Sequence, residues 1–122
     1  MRLNSHAPGW LEMATLRMSP ELFALVADRF KAFAEPTRLH ILYELRQGEH
    51  TVTEIGEATG IGQANLSRHL QQLHATGLVS RRKDGLFTFY ALADRDVLKL
   101  CDLMCGRLQK ETTARKRALT RG

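Results

Sequence analysis

The sequence predicts a mainly α-helical chain with one small β-hairpin, and three observations carry that expectation. Apolar residues recur at helical spacing through five segments between Pro20 and Leu108. The period changes from helical to alternating on either side of Asp84-Gly85. A length of 122 residues with 43% hydrophobic content suits one domain with a modest core, small enough to gain from dimerising.

Each element has its own signals. Residues 1–18 carry Pro8, Gly9 and Trp10 without a strong pattern and read as an N-terminal extension. Ser19-Pro20-Glu21 opens the first helix, PELFALVADRFKAFA, with a capping hydroxyl, a proline at the first helical position and an acid against the dipole. Glu35-Pro36 ends it. A second helix spans Pro36 to about Arg46, with Leu39, Leu42 and Leu45 on one face, and Gly48 stops it. Thr51 and Glu54 form a capping box that opens a short third helix ending near Gly60. Gly60 and Gly62 make a tight corner into a fourth helix, which runs to Gly77.

The segments LVSRRK and LFTFYAL then flank Asp84-Gly85, a strong hairpin signal. A last helix begins near Asp94 and carries Val97, Cys101, Met104, Cys105 and Leu108 on one apolar stripe. The closing KETTARKRALTRG is polar and expected to fray. The predicted organisation is therefore an extension over 1–18, a folded domain over 19–110 and a basic tail over 111–122.

Charge is informative in its distribution. The net +5 belongs to residues 107–121, where six bases face one acid; the other twelve bases and twelve acids cancel. From Ala58 to Lys83 there is no acid, while Arg68, Arg81, Arg82 and Lys83 fall inside that window. A phosphate-facing surface needs this, because a carboxylate there would repel the backbone charge.

Two short helices joined by a glycine corner and followed by a basic hairpin make a helix-turn-helix with a wing. In the fourth helix Leu66, Leu70 and Leu73 form the inward stripe. Ala64, Asn65, Arg68, Gln71 and Gln72 take the opposite side, with Gln63 and Ser67 on the flank. Asn and Gln pair with adenine edges, Arg bridges guanine O6 and N7, and small residues admit the helix to a major groove. His69 and His74 lie five residues and about 140° apart, so they cannot chelate one metal and sit at the margins of this face. Ser67 and His69 also diverge, which excludes a serine–histidine couple.

The segments AFAEPTRLHILYEL, TVTEIGEATGIGQANLSRHLQQLHATGLVSRRKDG and TFYAL resemble the ArsR/SmtB family of bacterial winged-helix repressors, over about Phe33 to Leu92. The resemblance implies a homodimer built from the first and last helices, and repression by binding double-stranded operator DNA until an inducer intervenes. On the family pattern Gln63, Ala64, Asn65, Ser67, Arg68 and His69 would carry DNA contacts, with Arg81, Arg82 and Lys83 in the wing.

The family's inducer sites find little match here. The third helix lacks the Cys-x-Cys of arsenic and cadmium sensors, and the second helix lacks the cysteine of a redox-sensing branch. At the zinc site of the last helix Asp94 matches one ligand, but Asp96 and Arg107 replace histidines and Lys110 replaces an acid. Cys101 and Cys105 remain, four residues apart on one helical face. Two readings are open for them. Both are small hydrophobes filling an interface, or both form a thiol site for a soft metal, a metalloid or a reactive sulfur or oxygen species. A disulfide within one helix is awkward, because the Cβ vectors run parallel.

Other function classes lack their signatures. An enzyme needs a nucleophile beside a base, or a metal with an open position, and no such motif, phosphate loop or serine elbow is present. A protein-binding winged helix would expose apolar residues on the fourth helix in place of Asn, Arg and Gln. Two cysteines make no disulfide framework, and no apolar run reaches the length of a membrane span or signal peptide. A soluble cytoplasmic protein with no membrane partner is expected.

Overall fold

Helix α1 (Pro20–Phe33) leads into α2 (Pro36–Glu44) and a 3-10 turn (Leu45–Gln47). Strand β1 (His50–Thr51), α3 (Val52–Thr59) and α4 (Gln63–Ala75) follow, and then the hairpin of β2 (Val79–Asp84) and β3 (Phe87–Leu92). A second 3-10 turn (Arg95–Leu98) feeds the long α5 (Lys99–Thr120). The computed structural model describes residues 17–120. The expected N-terminal extension, Trp10 included, lies almost wholly outside the described residues, as does Arg121 of the basic tail.

The capping chemistry forms as the sequence predicts. Ser19 Oγ accepts from the Leu22 amide at 3.1 Å. Thr51 Oγ1 accepts from the Glu54 amide at 3.1 Å, and Glu54 Oε1 accepts in return from the Thr51 amide at 2.9 Å. These bonds satisfy amides that have no partner within their own helices. At α2 the cap is a carboxylate: Glu35 Oε2 accepts from the Arg38 amide at 2.8 Å, and this bond holds Glu35 below the usual carboxylate range.

The core joins α2, α3, α4 and the sheet. Ile41, Leu42, Leu45, Ile55, Leu66, Leu70 and Leu73 are fully buried, and Leu78, Val79, Tyr90 and Leu98 close the layer beside them. Leu39 departs from the expected α2 stripe and is exposed. The inward arc is centred on Leu45, and Leu39 lies six residues, about 120°, away from it.

Three further differences have local causes. The sheet has three antiparallel strands in the order β1-β3-β2, one more than the hairpin alone. Strand β1 is only two residues long, pairing His50 with Tyr90 and Thr51 with Phe89, too short to show alternation. In the hairpin, Asp84 pairs with Phe87, so the loop is Gly85-Leu86. Gly85 has φ 60° and Leu86 has negative φ, the sign pattern of a II′ turn with glycine first.

Finally, α5 continues to Thr120 through the segment expected to fray. That stretch is rich in the good helix formers Lys, Arg, Ala and Glu, and Arg107 and Glu111 pair at 3.4 Å across one turn. The expected limit at residue 110 is therefore not a break in secondary structure.

Helices α1 and α5 leave apolar side chains uncovered. Phe23, Leu25, Val26 and Phe30 are exposed on α1, as are Leu100, Leu103, Met104 and Leu108 on α5, where Leu103 is 73% exposed. Helix α5 buries none of its residues within one chain.

Candidate nucleic-acid interface

The corner before α4 forms because Gly60 ends α3 in the left-handed region, at φ 74°. Gly62 then starts α4, its carbonyl accepting from the Leu66 amide at 2.8 Å. Leu66, Leu70 and Leu73 anchor the inner stripe in the core. This leaves Gln63, Ala64, Asn65, Arg68, Gln71 and Gln72 exposed together, with Ser67 half-buried on the flank. Asn65 Oδ1 accepts from Arg68 Nη2, one turn along the same face, so the two side chains are ordered as a pair.

His69 is a correction. The expectation placed it at the margin of the face among the DNA contacts, but it is buried, only 7% exposed. It lies three residues after Leu66 and four before Leu73, within the arc that packs inward. Its Nδ1 stands 3.4 Å from Arg38 Nη1. A guanidinium only donates, so this contact needs a ring with the proton on Nε2. His74, half-buried near the end of α4, stays apart from it.

The three wing bases also divide. Strand pairing sets Arg81 opposite Tyr90, Arg82 opposite Phe89 and Lys83 opposite Thr88. Alternation then puts Arg81 and Lys83 on one side of the hairpin and Arg82 on the other. Arg81 and Lys83 are exposed. Arg82 is engaged: it donates to both oxygens of Glu49, at 2.8 and 2.6 Å, and its guanidinium carbon stands 4.3 Å from the Phe89 ring centroid. Asp84 adds a carboxylate 3.7 Å away. Leu86 at the hairpin tip is fully exposed.

Arg38 and Glu49 are functional-site neighbours that reading the fourth helix and the wing alone misses. For Arg38 a signal exists: it is a cation in the first turn of α2, where the helix dipole disfavours positive charge, so it calls for acceptors nearby. For Glu49 none exists, since its partner lies 33 residues away.

The two cysteines differ in setting. Cys101 is half-buried against the core edge and Cys105 is exposed. Burial, chiefly, pushes the Cys101 thiol up, with smaller contributions from Cys105 and Asp102. Asp94 accepts from the Asp96 amide at 2.8 Å, and Asp96 pairs with Lys99 at 2.7 Å, so both carboxylates have local partners. Among the described residues no cluster of three or more His, Cys, Asp or Glu stands ready to hold a metal ion. One chain offers two thiols; a four-thiolate site would need two copies. No helix among the described residues is long and apolar enough to cross a membrane.

Comparison with known proteins agrees with this geometry. Residues 35–81 match the family described as bacterial regulatory protein, arsR family. The arsenical resistance operon repressor of Bacillus subtilis is 36% identical over 78 residues, covering 63% of this chain and 74% of that protein. The HTH-type transcriptional regulator Rv0324 of Mycobacterium tuberculosis is 42% identical over 79 residues, 65% of this chain, although the match spans only 35% of the longer relative. Among solved structures, the homodimeric winged helix-turn-helix DNA-binding domain of Mb0332 from Mycobacterium bovis superposes with a TM-score of 0.69 at 36% identity. That match covers 78% of this chain and 91% of the other.

Proposed function

Since the chain belongs to the bacterial arsR family of regulatory proteins, whose members are DNA-binding transcriptional regulators and not enzymes, we propose that it is a homodimeric repressor that binds a specific operator in double-stranded DNA. The observation that carries this reading is the acid-free face of α4. Gln63, Ala64, Asn65 and Arg68 stand exposed on it with Ser67 at its flank, while the opposite stripe is locked into the core. Arg81 and Lys83 extend the positive surface along the wing. The uncovered apolar faces of α1 and α5 fit a self-complementary dimer, which would present two reading helices to half-sites about 34–36 Å apart. The cytoplasm, where operator DNA is reached, is the matching compartment.

Selection from a random pool of duplexes, followed by footprinting on the winner, tests this. A pseudo-palindromic site with half-sites one helical turn apart is the expected result, bound by a species that sediments as a dimer. A chain that enriches no duplex over the starting pool overturns the reading.

For release from the operator, the reading extends to Cys101 and Cys105 as the inducer site. The helix that carries them also carries the uncovered apolar face, and the two thiols lie on one side of it. Two such pairs across a dimer two-fold would supply four thiolates, a set that suits a soft metal ion, while a metalloid or a reactive sulfur or oxygen species would act on the thiols directly. A thiol-directed ligand there would bias the packing of the two chains and so the spacing of the reading helices. Repeating the footprint with cadmium, arsenite, persulfide and peroxide tests this part separately. Protection that persists with all four refutes the thiol site and leaves operator binding standing.

A further inference from the structure

The Arg38 guanidinium, carried on α2, touches two other helices at once, α1 and α4. Its Nε donates to the Ala32 carbonyl at 2.7 Å and its Nη2 to the Lys31 carbonyl at 3.0 Å, closing the C-terminal turn of α1. Its Nη1 donates to Gln72 Oε1 at 2.9 Å and stands 3.4 Å from His69 Nδ1, both on α4. Its own amide is held by Glu35, at the start of α2. The cation is tolerated against the α2 dipole because its N–H groups meet acceptors on both sides. A lysine cannot reproduce this, since one ammonium cannot reach both the α1 carbonyls and the α4 side chains at once.

These bonds have a mechanical consequence. Helix α1 bears the uncovered face of Phe23, Val26 and Phe30, and α4 bears the reading face. Apolar packing through Leu66, Leu70 and Leu73 holds α4 against the core but is not directional. The forked hydrogen bonds are directional, and they refer the angular setting of α4 to the end of α1. Gln72 lies on the exposed side of α4, yet its amide oxygen is taken by Arg38, which makes it an anchor point more than a reader of bases.

We propose that Arg38 is a positioning residue for operator recognition, setting the rotation of α4 through Gln72 and His69 and passing to it any change in the packing of α1. This rests on the DNA-binding reading above. Residues that share one hydrogen-bond network couple, whereas independent ones add.

The test uses the full chain as Arg38→Lys, Gln72→Ala and the double variant. Each is measured for thermal unfolding, for sedimentation, and for affinity to the selected operator and to a scrambled duplex at one salt concentration. Each single variant is expected to lose about tenfold in operator affinity, a mid-range coupling for one network, while affinity for the scrambled duplex is unchanged. The double variant should be no worse than the weaker single, because both changes break the same tie. Additive losses would overturn the proposal, since Gln72 would then be reading a base by itself. So would parallel loss of specific and scrambled binding along with stability, which marks a purely structural role. Should Arg38→Lys fail to fold, Gln72→Ala decides alone: parent-like discrimination in that variant refutes the tie. A parent protein that prefers no duplex fails one step earlier, and takes the DNA-binding reading down with the proposal.

Discussion

Arg82 of the wing and Glu49, 33 residues apart in the chain, form a bidentate ion pair at 2.8 and 2.6 Å across the outer face of the sheet. The pair leans on Phe89, the cross-strand partner of both Arg82 and Thr51. The wing is thus fastened to the loop before β1, and one of its three bases is already neutralised.

Salt dependence should separate the wing bases. Each of Arg81→Gln and Lys83→Gln is expected to lower the slope of log K against log salt by about 0.9, the increment for one lost phosphate contact. Arg82→Gln should lower it far less, because Glu49 already compensates that charge. Equal losses from all three variants would return Arg82 to the phosphate-binding set.

The same pair makes the wing sensitive to acid. The hydrogen bond from Arg82 lowers the Glu49 carboxyl below its ordinary value. A depressed carboxylate contributes stability that is complete above the unfolded-state value and is lost as pH falls through the lower folded one. Acidification through that window should shift the side-chain resonances of Arg82, and Glu49→Gln should reduce that shift. A Glu49 carboxyl signal that titrates like a free glutamate speaks against the pair in solution.

On the reading helix, Arg68→Ala is expected to weaken operator binding by about 1–3 kcal/mol, the range for one good bidentate base contact. Asn65→Ala should do likewise and also release its partner, since the two are hydrogen-bonded. Competition footprinting with base-substituted operators checks this. Parent-like affinity in both variants would move the reading face elsewhere.

For His69, burial makes stability the expected casualty. His69→Ala should lower unfolding stability by about 1–3 kcal/mol, as loss of a buried polar partner does, and leave the salt slope of DNA binding intact. Urea unfolding measures the first and a salt titration the second. An unaltered denaturation midpoint would put the imidazole back at the surface.

Removing both sulfurs of α5 tests the thiol site. The Cys101→Ser, Cys105→Ser double variant should keep parent operator affinity and lose every response to cadmium, arsenite, persulfide and peroxide. A ligand that reverses occupancy from 1:99 to 99:1 must favour one state by about 5.5 kcal/mol, so the loss should be plain in a gel-shift titration. A double variant that still responds shows that the inducer acts elsewhere.

The local parts of this protein were legible from its residues. Ser19, the Thr51–Glu54 box, Gly60 and Gly77 act within a few positions of themselves, so their spacing was sufficient to mark helix ends. The reading face followed from Leu66, Leu70 and Leu73, because a 3.6-residue period sets an outer side once an inner one exists. Tertiary structure decided what depended on distant partners. The Glu49 partner of Arg82 comes from another loop, and the Arg38 guanidinium beside the buried His69 ring comes from α2. Gln72 changed meaning through the same guanidinium. Strand β1 exists only because β3 offers it an edge. A helical period reports which way a side chain points, but hydrogen bonds and ion pairs form between groups that folding brings together, and sequence spacing carries no record of those encounters.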